Sequence, residues 1–398
     1  MRSLKFQFAL AYAVAGAVAP LLPLLLEEDR RLSKTEIGTV MAFANVAVLT
    51  TPLVMTWLAD ARFEARRIIR AVFLAIVAVV ALLVGTESFL LIAILVAAWH
   101  LLFSPLVPLQ DGLFFAADAR RVVAGAPPTP YQSIRVWGTI GFIVPSFLVA
   151  PFLSDGVVGA GRYTVTLYLG AIAALVAFAN TFFLPSVAAD RSPRGRAPLG
   201  TAIRAFMNLR SGLFCLTIGV LQLAVQAWAT YFPAFLSEDV GIEKRWVGLV
   251  MTVGVAVEIL WMLALGKLLR RFGSGGVIAL GAAAMALRVL LTCLWPDPVV
   301  VLATQPLHGI MVLAIFVAPP LYVNQLADES CRSSVQGLYA TFVVALPRIL
   351  GNLVAGPLAE KSVIGVFWWV AGLTAAAAMV IRFAIRPEVD ERLRARAF

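Results

Sequence analysis

The sequence predicts an all-α integral membrane protein with twelve transmembrane helices in two pseudo-symmetric six-helix bundles. Of its 398 residues, 61% are hydrophobic and only 14% are charged, whereas a soluble chain is roughly half apolar and about a quarter charged. The apolar residues form continuous runs of about 20, the length that crosses a bilayer. Because these runs do not alternate apolar with polar residues, a transmembrane β-barrel is excluded. The composition also excludes a soluble enzyme and a disordered chain.

Each predicted span is an apolar run bounded by charged or turn-forming residues. The first six runs cover 6–26, 37–59, 68–86, 89–117, 133–153 and 163–184, and the last six cover 211–236, 246–266, 276–295, 299–323, 337–358 and 363–385. Inside the fourth run, Ser104-Pro105 and Pro108 predict a break or a bend. The predicted domains are an N-terminal bundle (1–184), a cytoplasmic linker (185–210), and a C-terminal bundle with a short cytoplasmic tail (211–398).

Weak internal parallels indicate that the two bundles are related. His100 in the fourth span and His308 in the tenth are 208 positions apart. Two further pairs of short segments, after spans two and eight and after spans five and eleven, repeat at about 210 and 205 positions. A nearly constant offset favours two parallel halves of six helices each.

The net charge of +10, from 32 basic and 22 acidic residues, predicts orientation. The basic residues lie in short loops between apolar runs, a pattern typical of cytoplasmic loops rather than of nucleic-acid binding. With the N-terminus inside, cytoplasmic segments hold about three times as many basic residues as outer segments. We therefore expect a multi-pass protein of the inner (plasma) membrane with both termini in the cytoplasm.

Several motifs carry a family resemblance. The segment from Leu58 to Arg67 resembles the loop between spans two and three of the major facilitator superfamily, although Thr56 replaces its leading glycine. This resemblance implies that Asp60, Arg66 and Arg67 form a gating loop. More specific elements, which are similar to the phenylpropionate permease family, are Phe103-Ser104-Pro105-Leu106-Val107-Pro108-Leu109-Gln110-Asp111, Ile134-Arg135-Val136-Trp137-Gly138-Thr139-Ile140-Gly141-Phe142, Gly254-Val255-Ala256-Val257-Glu258, Leu268-Leu269-Arg270-Arg271 and Gln305-Pro306-Leu307-His308-Gly309.

The resemblance covers nearly the whole chain and implies a function. Nucleoside permeases share the Arg-x-Trp-Gly-Thr-Ile-Gly-Phe element, and lactose permease is a more distant relative. The family implies proton-coupled uptake through alternating access, with a substrate site between the two halves.

Ionisable residues inside spans are candidates for function, because a charge at the bilayer centre costs roughly 2.5–3.5 kcal/mol on insertion scales. Glu258, in the middle of span eight, is either a proton carrier or a structural carboxylate paired with a neighbouring helix. Its natural partners are Arg288 in span nine and His308 in span ten. Lactose permease has a similar set, but Met311 replaces its further carboxylate. His308 therefore either shares the proton or only makes hydrogen bonds.

Asp111 and Arg135 are the candidates in the N-terminal half. One reading is a buried ion pair that clamps two helices. In the other reading, Arg135 meets a substrate carboxylate or hydroxyl when the pair opens, since the planar guanidinium can bind a carboxylate through two hydrogen bonds.

The C-terminal half offers further candidates for substrate binding. Gln222 and Gln226 are one helical turn apart in span seven, and Trp228 and Tyr231 follow them. Such a group suits stacking and hydrogen bonding to a ring-bearing solute, or it joins neighbouring helices. Arg348 in span eleven either lines the cavity or pairs with Glu258.

The sequence offers no sign of catalysis or of a bound cofactor. It has no phosphate-binding glycine loop, no set of nucleophile, histidine and acid, and no cysteine spacing typical of a disulfide or a metal site. We therefore expect no enzyme and no cofactor other than the proton gradient. We expect a monomer whose partners are a small-molecule substrate and the lipid bilayer, with no nucleic acid.

The preferred function is proton-coupled import of an aromatic or other monocarboxylate. The alternatives are nucleoside or sugar symport, proton-antiport efflux, and a membrane sensor that does not transport.

Overall fold

The computed structural model describes residues 1–48, 64–153, 162–186, 206–326 and 332–385, and all regular secondary structure in these ranges is helical. The helices, numbered in chain order, are α1 (Arg2–Asp29), α2 (Lys34–Val48), α3 (Ala65–Val84), α4 (Phe89–Val123), α5 (Ser133–Leu153), α6 (Thr164–Phe183), α7 (Leu209–Glu238), α8 with α9 (together Lys244–Leu294), α10 (Pro306–Leu326), α11 (Val335–Lys361) and α12 (Val363–Ile381). Every predicted span overlaps one of these helices. The second, 37–59, is described only as far as residue 48. The predicted fold class is confirmed.

A single glycine separates α8 from α9. The segment Lys244–Leu294 contains two helices that meet at a kink, where Gly273 has φ 69° and ψ 176°, far from helical values. Glycine adopts a positive φ without the steric cost that a side chain would add. Spans eight and nine, predicted as separate, are therefore two helices joined by one residue.

Prolines interrupt the fourth and tenth predicted spans. The helix Phe89–Phe103 ends before Pro105, and Leu106–Val123 continues α4, which confirms the predicted break. Span ten, predicted as continuous over 299–323, consists of a short helix, Pro298–Ala303, followed by α10. Pro306 explains this difference, because its ring cannot donate a main-chain hydrogen bond and clashes with the preceding turn.

The chain forms two compact units. The first comprises Met1–Pro193 together with Glu243–Thr252, and the second comprises Arg194–Ile242 together with Val253–Phe398. The beginning of α8 thus groups with the first unit, a division that the predicted domain boundaries did not include. Most of the predicted linker, residues 187–205, lies outside the described residues.

Close helix packing in the first unit depends on glycine. The helix α1 packs against α5 and α6. A Cβ atom added at Gly16 would overlap the main-chain carbonyl of Phe142, and one added at Gly141 would overlap that of Ala9. Small residues at such crossings let helix backbones approach within a membrane. In the second unit, α7 packs against α12 and α11, and Gly351 has the same role against Leu223.

The outer faces of the helices carry large apolar side chains. Examples are Leu82, Leu90 and Phe183, which are 61%, 65% and 77% exposed. A soluble monomer rarely exposes apolar patches of this extent. Lipid is the solvent that suits such faces.

Candidate functional site

In the first unit, Asp111 and Arg135 each bind a tyrosine. Asp111 on α4 accepts a 2.7 Å hydrogen bond from the hydroxyl of Tyr131, just before α5. The Arg135 guanidinium lies over the Tyr12 ring of α1, 4.4 Å from its centroid. Gly138 allows this stacking, because a Cβ there would lie 2.8 Å from Arg135 Nη1.

These contacts correct the prediction of a direct Asp111–Arg135 ion pair. Among the described residues, no salt bridge joins the two side chains, and each charge is instead held by a tyrosine. The tyrosines explain the difference, because Tyr131 supplies the hydrogen bond to the carboxylate and Tyr12 holds the guanidinium by a cation–π contact. Neither tyrosine was a sequence candidate. Each tyrosine is far in the chain from the charged residue that it contacts, 20 positions from Tyr131 to Asp111 and more than 100 from Tyr12 to Arg135.

Gln110, beside Asp111, is a further polar residue that sequence reasoning did not select. Its side chain is fully buried, and neither its amide nitrogen nor its amide oxygen has a hydrogen-bond partner in the described parts of the chain. Buried polar groups are normally satisfied by protein, water or ligand. Its position in the Phe103–Asp111 element was the available signal.

In the second unit, Arg288 is the centre of a buried hydrogen-bond network. Arg288 is 2% exposed. Its Nη1 donates to His308 Nδ1 at 2.9 Å, and its Nη2 donates to Gln305 Oε1 at 3.0 Å. Because a guanidinium can only donate, Nδ1 must be the acceptor, so His308 is neutral with its proton on Nε2. Arg288 and His308, each predicted as a partner of Glu258, are therefore bonded to each other, and Gln305 is a member of the network that the sequence analysis did not select.

Aromatic rings enclose this network. The Arg288 guanidinium lies 4.9 Å from the Trp228 ring centroid and 5.3 Å from that of Phe232. Trp228 is also 6.0 Å, centroid to centroid, from His308. Tyr231 is only 1% exposed and belongs to the core. Trp228 thus joins the charged cluster, while Tyr231 does not line an open surface in this structure.

Glu258 lies where α8 crosses α10, next to the residues of the Arg288 network. A Cβ added at Gly309 would be 3.0 Å from the Cα of Glu258. Gly254, one turn earlier, faces Gln305 and His308 in the same way. Glu258 itself is half-buried. The structure therefore brings Glu258 and His308 to the same crossing, as the sequence predicted.

Gln222 and Arg348 form a second polar contact in this unit. Arg348 Nε donates to Gln222 Oε1 at 2.9 Å, and Gln222 Nε2 donates to the main-chain oxygen of Ile315 at 2.9 Å. Arg348 therefore hydrogen-bonds directly to Gln222. One of the two predicted alternatives had instead paired Arg348 with Glu258. Arg348 also lies over the Phe316 ring, 5.0 Å from its centroid.

Gln226 belongs to a different network from Gln222. Its amide donates to Thr230 Oγ1 at 3.3 Å, and Thr230 donates to Asn352 Oδ1 at 2.7 Å. Asn352 is fully buried. The two glutamines therefore do not act as one polar pair, because the buried Gln222 reaches α10 and α11, whereas Gln226 bonds along its own helix.

The residues of the predicted gating loop are partly described. Arg66 donates to Glu64 at 2.8 Å, Arg67 lies 3.6 Å from the same carboxylate, and Ser186 donates to its other oxygen at 3.0 Å. The hydrogen bond from Arg66, followed by that from Ser186, lowers the pKa of the Glu64 carboxyl. Asp60 lies outside the described residues.

The remaining candidates are structural or isolated. His100 is hydrogen-bonded to the main-chain oxygen of Val96 at 2.9 Å and packs edge-on against the Trp99 ring. Cys215 and Cys293 are free thiols within helices, and Cys331 lies outside the described residues. Within the described ranges, no group of three His, Cys, Asp or Glu side chains is arranged to hold a metal ion.

Three proteins named as permeases or transporters resemble this chain over most of its length. The maltose permease of Geobacillus stearothermophilus is 28% identical over 90% of this chain and 88% of its own length. The xanthosine permease of Escherichia coli (strain K12) is 25% identical over 92% and 90%. A probable 3-phenylpropionic acid transporter of the same organism is 24% identical over 73% of each chain.

The fold has a close counterpart among solved structures. The crystal structure of a variant of the nucleoside transporter NupG superposes with a TM-score of 0.87, covering 97% of this chain and 99% of that one at 18% identity. At this identity, the likeness supports the fold. The described ranges contain ten helical segments of membrane-spanning length, one of which, Lys244–Leu294, holds both α8 and α9. Together with the permease relatives, they make this chain a multi-pass membrane transporter. The model of the MFS_1 like family matches residues 1–369, and the chain therefore belongs to this family of major facilitator permeases.

Proposed function

We propose that this protein is a secondary active transporter that imports a small organic solute together with a proton. The preferred solute is an aromatic or other monocarboxylate, carried by alternating access. The driving force is the proton gradient, with no other cofactor and no enzymatic step. We further propose a monomer in the inner (plasma) membrane with both termini in the cytoplasm, as the distribution of basic residues predicts.

The observation that carries this proposal is the position of Glu258 beside the Arg288–His308 network. While Arg288 donates to Nδ1, His308 cannot accept a proton there. Glu258, half-buried at the same helix crossing, is the carboxylate of this cluster that can exchange one. A carboxyl group holds its proton more tightly in apolar surroundings and less tightly near a cation. Movement between such surroundings would let Glu258 bind and release a proton in each cycle.

Charge and aromatic content support an anionic solute. The spans contain three candidate cations, Arg135, Arg288 and Arg348, but only two candidate carboxylates, Asp111 and Glu258. A charge within the membrane is stabilised by a partner of opposite sign. The rings near Arg288 suit a solute that carries a ring. The similarity to a probable 3-phenylpropionic acid transporter favours the same class.

A nucleoside is the second candidate solute. The fold of NupG and the similarity to a xanthosine permease favour it. Gln305 adds a specific observation, because its amide nitrogen is buried and has no hydrogen-bond partner in the described parts of the chain. An unpaired amide near aromatic rings suits recognition of a neutral polar base.

The experiment that tests proton coupling replaces Glu258 with glutamine, which keeps the side-chain shape and removes the titratable proton. In proteoliposomes, Glu258→Gln should lose accumulation driven by a pH gradient but retain exchange of labelled for unlabelled solute. Glu87→Gln, at an exposed position between α3 and α4, is the matched control and should accumulate solute as the wild type does. Full gradient-driven accumulation by Glu258→Gln would remove Glu258 from the mechanism.

A further inference from the structure

Gln222 is held in a single orientation by its neighbours. It is 1% exposed, and its amide nitrogen donates to the carbonyl of Ile315 in the π-helical turn Leu313–Val317. That bond points the amide oxygen at Arg348, from which it accepts a hydrogen bond at 2.9 Å. Turns of π-helix in α-helices are frequent at functional sites. Gln222 therefore has both ends of its amide engaged and none left for a solute.

Arg348, by contrast, uses only one of its three nitrogens in this contact. Its Nε donates to Gln222, whereas its two terminal nitrogens make no hydrogen bond or ion pair within the described ranges. The side chain is half-buried, with the Phe316 ring beneath the guanidinium. The structure thus fixes the plane of the guanidinium and leaves its outer edge available.

The same helix carries a second polar group without a hydrogen-bond partner. Tyr339 is 3% exposed, and its buried hydroxyl has no hydrogen-bond partner in the described part of the chain. Tyr339 begins the π-helical segment Tyr339–Ala345 of α11, and Arg348 lies in the helical turn that follows this segment. A buried hydroxyl without a partner is uncommon in folded proteins. An oxygen-bearing ligand that reached both side chains would supply acceptors to the Tyr339 hydroxyl and to the Arg348 guanidinium.

The two terminal nitrogens of a guanidinium match the two oxygens of a carboxylate. We propose that Gln222 is a positioning residue, which holds Arg348 so that its terminal nitrogens bind the carboxylate of the transported solute. Gln222 itself does not touch the solute. This inference rests on the proposed function and names the residues that select the charge of its substrate.

The test compares two probes of nearly the same shape, one with a carboxylate and one with a neutral amide in its place. Purified full-length protein in detergent is titrated calorimetrically with 3-phenylpropionate and with the neutral 3-phenylpropionamide, and the ratio of the two Kd values is the readout. We expect the wild type to bind the acid roughly tenfold or more tightly than the amide, as loss of a charge-assisted hydrogen bond implies. Arg348→Gln should bring the ratio near one, and Arg348→Lys, which keeps the charge without the fork, should restore part of it.

The positioning role has its own variant and control. Gln222→Leu should weaken binding of the acid while leaving binding of the amide nearly unchanged. A general loss of structure would instead weaken binding of both probes. Gln336→Leu is the matched control, because Gln336 also donates to a main-chain oxygen of α10, that of Pro320, at 2.8 Å. It should leave the ratio as in the wild type. Circular dichroism and size-exclusion chromatography confirm that each variant is folded.

The outcomes separate this inference from the proposed function. A wild-type preference for the acid that persists in Arg348→Gln would overturn the inference and leave proton-coupled import intact. A wild type without this preference, or without binding to either probe, would also overturn it. The proposed function is tested in a different experiment, solute uptake into proteoliposomes. It fails if accumulation of the solute does not respond to the pH gradient.

Discussion

The close crossing of α1 and α5 can be tested by adding one methyl group to a glycine. An alanine at Gly141 would place its Cβ in overlap with the main-chain carbonyl of Ala9. A main-chain atom cannot rotate away, so the helices must separate. Gly112 in α4 is the matched control, because no atom lies within 4 Å of a Cβ added there. Both positions are helical.

The expected magnitudes follow from two opposing effects. Replacing a helical glycine with alanine stabilises the folded state by about 0.5–1 kcal/mol, and this gain applies at both positions. Overpacking a well-packed crossing costs about 1–3 kcal/mol, and this cost applies only at Gly141. The free energies of unfolding of the two variants should therefore differ by about 1–3 kcal/mol, with Gly141→Ala the less stable.

Thermal melting of the purified variants in detergent measures this difference. Gly112→Ala should melt at or above the wild-type temperature, and Gly141→Ala should melt below it. Glycine is required in the Gly138-Thr139-Ile140-Gly141 element because two helix backbones approach closely there, and not because of helix propensity. Equal melting temperatures for the two variants would refute this reasoning.

Two further predictions concern orientation and the first unit. Protease should cleave the basic segment 185–210 in inside-out vesicles but not in intact cells, and cleavage from outside intact cells would reverse the proposed orientation. The bond from Tyr131 to Asp111 should give a coupling energy of about 1 kcal/mol in a double-mutant cycle of Tyr131→Phe and Asp111→Leu, measured by melting, because the pair is only half-buried. Additive effects of the two changes would show that this hydrogen bond contributes nothing to stability.

Hydropathy predicted the helices well because the bilayer imposes one requirement on every span, a long apolar run. The break at Pro105 was predictable for the same local reason, since proline disrupts the turn before it. The join between α8 and α9 was not predictable as a single residue. Gly273 is flanked by polar and basic residues that resemble an ordinary loop, and only its φ and ψ show how short the connection is.

In the site, sequence reasoning succeeded where two charged or polar residues lie at matching depths on adjacent helices. Arg288 and His308, on opposite sides of one short turn, are such a pair. It was wrong about the Asp111–Arg135 ion pair because tyrosines from other helices compete for both charges. It missed the link from Gln222 to Arg348, because a π-helical turn presents the Ile315 carbonyl. Regular 3.6-residue periodicity does not reveal such turns.

The most direct test of proton-coupled import of a monocarboxylate combines uptake with electrical recording. One carboxylate anion and one proton together carry no net charge, whereas a neutral nucleoside with one proton carries +1, worth about 2.3 kcal/mol per 100 mV of membrane potential. With wild-type protein in proteoliposomes, labelled 3-phenylpropionate should accumulate along a pH gradient while a solid-supported membrane records no sustained current. A sustained inward positive current with uridine, and no accumulation of 3-phenylpropionate, would contradict the proposed substrate class.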